Sequence, residues 1–222
     1  MHDLEETILG RRSVRGFQPD RLVPRETLVD ALKLAQHSPS NCNVQPWEIF
    51  IASGAARDRL RSALIQAVES GAPPTANSPM DTFINEHRKR QIACAAEMYG
   101  KMGIERGDGA GRMRAHLRNF ELFDAPQVAI VCMRKEFGVG VALDVGMWVQ
   151  TFLLALWARG IGTCAQATLR FYPEIVAKEL SIPDELQILC GISFGYEDNA
   201  IPANNARQTR DPIDANVHFI DG

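Results

Sequence analysis

Three arginines and a serine crowd the segment RRSVRGF, residues 11–17, and these are the side chains of the chain best suited to binding an anion. In extended backbone, side chains two positions apart point to the same side, so Arg11, Ser13 and Arg15 would share one face. Arg12 would point to the other side. Guanidinium groups held together repel one another unless they share an anion, and phosphate matches their planar, paired donors. The segment therefore predicts a phosphate site, with a solvated basic stretch as the alternative.

A second polar cluster, SPSNCNVQPW at residues 38–47, offers uncharged groups. Its hydroxyl and amide side chains are Ser40, Asn41, Asn43 and Gln45. Such groups donate or accept hydrogen bonds as the partner requires, which suits a ligand with carbonyls, ring nitrogens and sugar hydroxyls. Because Asn, Ser and Pro are also the usual turn formers, the same residues are compatible with a well-formed turn and no ligand.

Two short motifs suggest other chemistry but stand in the wrong surroundings. GIGTCA at 160–165 has the spacing of a dinucleotide-binding fingerprint, yet it follows a predicted helix where the fingerprint needs a preceding strand. GISFG at 191–195 matches the nucleophile elbow of serine hydrolases. The residues that would complete a triad follow in the hydrolase order: Asp211, Asp214 and His218. An elbow needs a helix after its serine, whereas YEDNAIPANN is typical of a loop, so a hydrolase using Ser193 is retained only as an alternative function.

The composition narrows the class of protein. The chain has 222 residues, 45% of them hydrophobic and 23% charged, with a net charge of −3. This is typical of a soluble globular domain and lacks the basic excess of nucleic-acid-binding proteins, so we expect no nucleic-acid partner. Five scattered cysteines without C-x-x-C or Cys/His spacing indicate a reducing cytoplasm and no bound metal. The acidic first residues do not have the form of a signal peptide.

Hydrophobic periodicity predicts many helices and few strands, hence an α+β sandwich in one domain over residues 1–222. Helices are predicted at 3–9, 24–36, 55–70, 139–158 and 171–180, with one or two more across 81–122, interrupted by GDGAG at 107–111. Strands are predicted at 47–52, 127–133 and 186–195, with an extended segment at 163–168, a weak strand at 217–220 and a loop at 71–79. Gly160 has the position of a helix-ending glycine. The apolar helix at 139–158 contains Asp144, so we interpret it as buried on nearly all sides and not as a membrane span.

Four segments occur in one order and with one spacing: RRSVRGF, SPSNCNVQPW, GIGTCAQATL and the tail RQTRDPIDANVHF. Together they resemble the FMN-dependent, oxygen-insensitive nitroreductase family, in its nitrobenzoate and nitroaromatic reductase branch. The resemblance covers essentially the whole chain and is weakest across 71–120. It implies an α/β/α sandwich with a mainly antiparallel central sheet flanked by helices, assembled as an intertwined homodimer. Residues 71–122 would form a variable helical cover over the substrate.

The resemblance also implies a set of FMN-binding residues. They are Arg11, Arg12, Ser13, Arg15, Pro39, Ser40, Asn41, Asn43, Ala165, Gln166, Ala167, Arg207 and Arg210. Arg11 and Ser13 would hold the phosphate, and Arg15 would approach the pyrimidine edge of the flavin, where a cation favours the reduced ring. The loop at 39–43 would reach the flavin from the second subunit, and residues 165–167 would contribute backbone amides near N5. In the tail, Gln208 and Arg210 match a Lys-x-Arg pair common in the family, so Arg207 is the candidate to replace the lysine.

The function implied by the resemblance is two-electron reduction of nitroaromatic compounds, including nitrobenzoate-like ones, and of quinones. NADH or NADPH would donate the electrons in a ping-pong cycle, and no side chain would be catalytic, because FMN carries the chemistry. Basic residues within 81–122 would attract anionic substrates, with an ordinary solvated helix face as the alternative. Related flavin-fragmenting or dehalogenating enzymes, and a flavin-binding module without turnover, share the fold and are open alternatives.

Overall fold

The helices and strands follow the hydrophobic pattern, and a computed structural model describes them over residues 3–75 and 82–221. The helices are α1 (Leu4–Gly10), α2 (Arg25–Ala35), α3 (Gly54–Glu69), α4 (Asn85–Lys101), α5 (Gly109–Leu117), α6 (Val139–Trp157) and α7 (Pro173–Leu180). The strands are β1 (Glu48–Ser53), β2 (Gln127–Arg134), β3 (Gly162–Gln166) and β4 (Leu186–Gly195). Residues 76–81, which contain the end of the predicted loop and belong to the predicted cover over 71–122, lie outside the described residues.

The four strands form one sheet in the order β1-β2-β4-β3, and every neighbouring pair is antiparallel. Residues 127–133 of β2 are all buried, because this strand is covered on both faces. On one face α2 and α6 pack with Trp148, Phe152 and Phe194 in the core, and on the other α3 and α7 pack with Leu60 and Leu64. The predicted α+β sandwich with an antiparallel central sheet is confirmed.

Most predicted elements are confirmed within two residues of their bounds, and the exceptions have simple causes. Gly160 adopts φ +73 and ends α6, with its N–H donating to the carbonyl of Trp157 at 2.9 Å. Helix α7 starts at Pro173 and not at 171, because proline suits the first helical turn, where its missing N–H has no partner to lose. The predicted strand at 217–220 is wrong: no described strand lies beside it, and Ile220 is 90% exposed.

Helix α6 departs from the prediction that it is buried on nearly all sides. Its buried residues include Asp144 and Trp148, but Val139 is 89% exposed and Leu143 is 68% exposed. Among the described residues it is the one helix long and apolar enough to cross a membrane by composition, a property that core helices of soluble proteins share. Here it packs along α2 and the sheet, and it leaves one apolar stripe uncovered.

Candidate functional site

The segment 11–17 runs beside the free edge of β3, and this contact sets which side chains point inward. Ser13 forms a bridge with Thr163, and the N–H of Val14 donates to the carbonyl of Thr163 at 2.9 Å. Val14 is fully buried against Gly162, where an added Cβ would lie 2.8 Å from a Val14 methyl group. Because Val14 fills the core, the neighbouring odd-numbered positions face the other way, as the alternation predicts.

Arg12 lies on the same side as Val14, and its charge is neutralised by an ion pair within the chain. Its guanidinium pairs with Glu197, whose side chain is 17% exposed, and stacks over Trp157 with its central carbon 5.0 Å from the ring centroid. The partners are far apart in sequence, so the pattern of residues 11–17 could not reveal this pair. The structure therefore gives Arg12 a role in fastening the segment, whereas its predicted contact with FMN stays a prediction.

Arg11 is the half-buried member of the arginine cluster, and it faces the tail. Burial lowers the pKa of its guanidinium, and the nearby positive charge of Arg210 lowers that pKa further. Across residues 3–75 and 82–221, neither arginine forms an ion pair with a carboxylate. Two guanidiniums that repel each other and have no counter-ion fit a dianionic phosphate, which would relieve their repulsion and accept their paired hydrogen bonds.

The two candidate arginines of the tail are in different situations. The Nη1 of Arg207 donates to the carbonyls of Asn204 at 2.7 Å and Ala206 at 3.0 Å, so this side chain folds back on its own turn. Arg210 likewise donates to the carbonyls of Gln208 and Thr209, and its positive charge lowers the pKa of Arg11. Both side chains fold back on their own turn, and it is the charge of Arg210 acting on Arg11 that favours Arg210 over Arg207 as the tail residue of an anion site.

Arg15 reaches into a cavity of about 350 Å³ between α4, α5 and the turn at 202–205. Its backbone N–H donates to the Oδ1 of Asn204 at 2.7 Å. Asn204 is 3% exposed, and its Nδ2 donates to the carbonyls of Gly16 and Asp198, so it fixes the segment that carries Arg15. Asn204 could not be identified from the sequence, because a lone asparagine in a loop carries no spacing signal. The other lining residues include Met98, Met102, Arg114, Arg118 and Phe123.

At the end of β3 the backbone is accessible to a ligand, whereas the side chain of Gln166 points into the interior. Ala165 and Ala167 are exposed, whereas Gln166 is 3% exposed. The amide of Gln166 donates from Nε2 to the carbonyl of Asn119 at 2.7 Å and accepts through Oε1 from the hydroxyl of Ser193. A ligand beside residues 165–167 would thus meet backbone and two methyl groups, which agrees with a predicted contact through main-chain amides.

The polar loop at 39–45 lies against the first half of α6. The N–H of Asn41 donates to the buried carboxylate of Asp144 at 3.0 Å, and Asn43 adopts the left-handed φ of +58, which asparagine tolerates. Asn41 and Asn43 are exposed. Trp157, which contacts Arg12, follows Asp144 by 13 positions, about 20 Å along the helix axis at 1.5 Å per residue. One chain therefore does not bring this loop and the arginine segment together.

The basic residues of the predicted substrate cover are mostly paired within the chain. Arg114 and Arg118 both bind Glu121, which is 6% exposed, and Arg118 also binds Asp124 at 2.7 Å. Arg112 stacks over Tyr99, and further along the same segment Lys89 pairs with Glu86 and Arg90 with Asp211. These pairs reduce the positive charge available to steer anionic substrates, so the solvated-face alternative gains support.

The cysteines show no metal chemistry in the described parts of the chain. All five are free thiols, and no group of three or more His, Cys, Asp or Glu side chains there is arranged to hold a metal ion. Cys164 lies beneath the arginine segment, where burial raises its pKa to about 11 despite the nearby charge of Arg15 and a hydrogen bond with Ser13. This thiol therefore stays protonated at neutral pH.

Ser193 of the GISFG motif is not placed as a nucleophile. It lies in the interior of β4, opposite Cys164 and Val128 on the two neighbouring strands, and is fully buried. Its hydroxyl donates to Gln166, and no α-helix follows it within the described tail, which has only two short 3-10 turns. The serine hydrolase alternative therefore has no structural support.

We expect Ser193→Ala to lower the free energy of unfolding by about 1–3 kcal/mol, because it leaves the Oε1 of buried Gln166 without its donor. Chemical denaturation would measure the loss, with Ser62→Ala on the exposed surface of α3 as the matched control. Labelling of Ser193 by a serine-directed phosphonate would contradict this structural role.

Comparison with known proteins agrees with the geometry. The family model described as Nitroreductase family matches residues 8–196. Nitroreductase NfnB of Mycolicibacterium smegmatis is 36% identical over 97% of this chain and 92% of its own length. A 4-nitrobenzoate reductase of Nocardioides sp. is 34% identical over 96% of this chain and 88% of its own length. The crystal structure of the FMN-dependent nitroreductase NfnB from Mycobacterium smegmatis in complex with NADPH covers 98% of this chain and 97% of its own, with a TM-score of 0.93 and 36% identity.

Proposed function

This chain belongs to the nitroreductase family, and on that premise we propose that it is an FMN-dependent reductase of nitroaromatic compounds that oxidises NADH or NADPH. The observation that carries the proposal is that the charges of Arg11 and Arg210 act on each other without a carboxylate partner in the described residues, beside the segment that presents Arg15. Two relatives similar over nearly the whole chain, one of them solved with NADPH, support the same activity.

The residues present fit an FMN phosphate at one end of the site. Arg11 and Arg210 would bind the phosphate, Ser13 would add its hydroxyl, and Arg15 would stabilise negative charge at the pyrimidine edge of the ring. A cation about 4 Å from that charge contributes on the order of 4 kcal/mol at an effective dielectric of about 20, before desolvation costs. When bound, FMN would supply the two-electron chemistry that no side chain of the site can perform.

The second half of the site would come from another copy of the chain, as a homodimer. Asn41 and Asn43 are exposed on the loop beside the first half of α6, whereas Arg12 contacts Trp157 at its end, so they can serve the same ligand as the arginine segment only across a two-fold interface. The uncovered apolar residues support such an interface. They are Leu4, Ile8 and Leu9 on α1, Val139 and Leu143 on α6, and Phe219 and Ile220 in the tail. Patches of this kind mark association surfaces.

We infer a nitroaromatic substrate that includes carboxylated compounds, since one similar relative is a 4-nitrobenzoate reductase. The cavity between α4 and α5 supports this class, because Met98, Met102 and Phe123 suit an aromatic ring and Arg15 suits an acidic substituent. We also propose a single domain over residues 1–222, with 71–122 as the substrate cover, and a cytoplasmic location supported by the five free thiols.

The test of the function begins with the colour of the purified protein. We expect a yellow protein that loses its absorbance near 450 nm when NADH or NADPH is added without oxygen, as a bound flavin does, and that recovers it when nitrobenzoate is supplied. A panel of nitroarenes, quinones and halogenated tyrosines would rank the substrate classes. A colourless protein with no affinity for FMN would contradict the proposal, and a yellow protein that never bleaches would support a binding module instead.

A further inference from the structure

The tail segment 207–211 lies along one face of α4 and is held there by three contacts spaced one helical turn apart. The Nε of Arg90 donates to the carboxylate of Asp211 at 2.7 Å. The Nε2 of Gln208 donates to the carbonyl of Cys94 at 3.3 Å, and the N–H of Arg207 donates to the carboxylate of Glu97 at 3.2 Å. Positions 90, 94 and 97 follow the i, i+4, i+7 spacing of a single helix face.

These contacts fix the stretch of backbone that carries Arg210. Arg210 stands between Gln208 and Asp211, so the two side chains fastened to α4 flank it on both sides in sequence. The segment has no regular secondary structure of its own to hold it. An exposed arginine on an unfastened tail would sample many positions, and ordering it on phosphate would cost conformational entropy.

The ion pair also determines where the negative charge of Asp211 lies. A free carboxylate next to Arg210 would compete with phosphate for that guanidinium, because both are anionic acceptors of the same donors. Arg90 binds the carboxylate instead, in a pair whose side chains are 45% and 39% exposed. Arg210 is thereby left with the backbone carbonyls of Gln208 and Thr209 as its hydrogen-bond partners, and its charge acts on Arg11.

We propose that Arg90 is a positioning residue for the cofactor: through Asp211 it holds Arg210 at Arg11, where the FMN phosphate would bind. The inference rests on the proposed function and extends it, since it assigns to the substrate cover a part in retaining the cofactor. Helix α4 would then line the substrate cavity with Met98 and hold the tail segment that carries Arg210 through its neighbouring face.

The experiment compares FMN with riboflavin, which has the same ring and lacks the phosphate. Dissociation constants of both would be measured on the apoprotein by flavin fluorescence quenching, and their ratio reports the phosphate contribution alone. Because half-exposed ion pairs are weak, we expect Arg90→Gln to lower the preference for FMN about threefold to fivefold and to leave riboflavin binding unchanged. Arg88→Gln is the matched control, because it removes the same charge from the same helix and, among the described residues, the side-chain hydrogen bond of Arg88 goes to Gln91 of α4 and not to the tail.

A double-mutant cycle with Asp211→Asn tests the route of the effect. If Arg90 acts through Asp211, the double variant loses no more of its preference for FMN than the more affected of the two single variants. Independent effects of the two substitutions would add instead. An unchanged preference in Arg90→Gln, an equal loss of FMN and riboflavin, or additive losses would each overturn the proposal. Failure of the unmodified protein to bind FMN would instead refute the proposed function, so the two failures are distinguishable.

Discussion

Replacing Arg11 by glutamine is expected to weaken FMN binding by about 10- to 100-fold and to leave riboflavin binding nearly unchanged. The expected size is that of charge-assisted hydrogen bonds to a phosphate dianion, and Arg11 is the half-buried guanidinium that faces Arg210. Fluorescence titration of the apoprotein with the two flavins would measure both constants.

Arg25→Gln is the matched control for this variant, because Arg25 is an exposed arginine at the start of α2. Its affinity for FMN should equal that of the unmodified protein. Raising the salt concentration should weaken FMN binding to the unmodified protein more than to Arg11→Gln, since one charge fewer is screened. Equal FMN affinity in Arg11→Gln and the unmodified protein would exclude Arg11 from the phosphate site.

Replacing Leu143 by arginine is expected to raise the dissociation constant of the homodimer by about 100-fold or more. Leu143 is 68% exposed on the uncovered stripe of α6, and the new charge would be buried without a partner at the proposed interface. Analytical ultracentrifugation over a range of concentrations would measure the shift to monomer.

The amount of bound FMN should decrease along with the fraction of dimer in Leu143→Arg, because the polar loop at 39–45 would no longer reach the site of the other copy. Gln66→Arg provides the control: it adds the same charge to an exposed position of α3, which packs on the opposite face of the sheet. A monomeric unmodified protein, or a monomeric Leu143→Arg that retains FMN, would refute the shared site.

Much of the fold could be predicted from local patterns. The apolar run at 127–133, the strand at 186–195 and the glycine that ends α6 are each determined by nearest neighbours and by backbone conformation, so periodicity and glycine placement identify them. The alternation of Arg11, Ser13 and Arg15 follows in the same way from extended backbone beside Thr163. The predicted strand at 217–220 failed because a strand needs a neighbour, which β-propensity alone cannot supply.

The sequence by itself determined which residues could bind an anion and which elements would carry them, because charge, polarity and periodicity are local properties. Only the tertiary structure decided how those residues are used: Arg12 pairs with Glu197, Arg207 turns back on Asn204, and the charge of Arg210 acts on Arg11. The fastening of the tail by Arg90, and the burial of Ser193 in the sheet, are likewise contacts between distant parts of the chain. Such contacts depend on packing across the whole domain, so no spacing within a short motif encodes them.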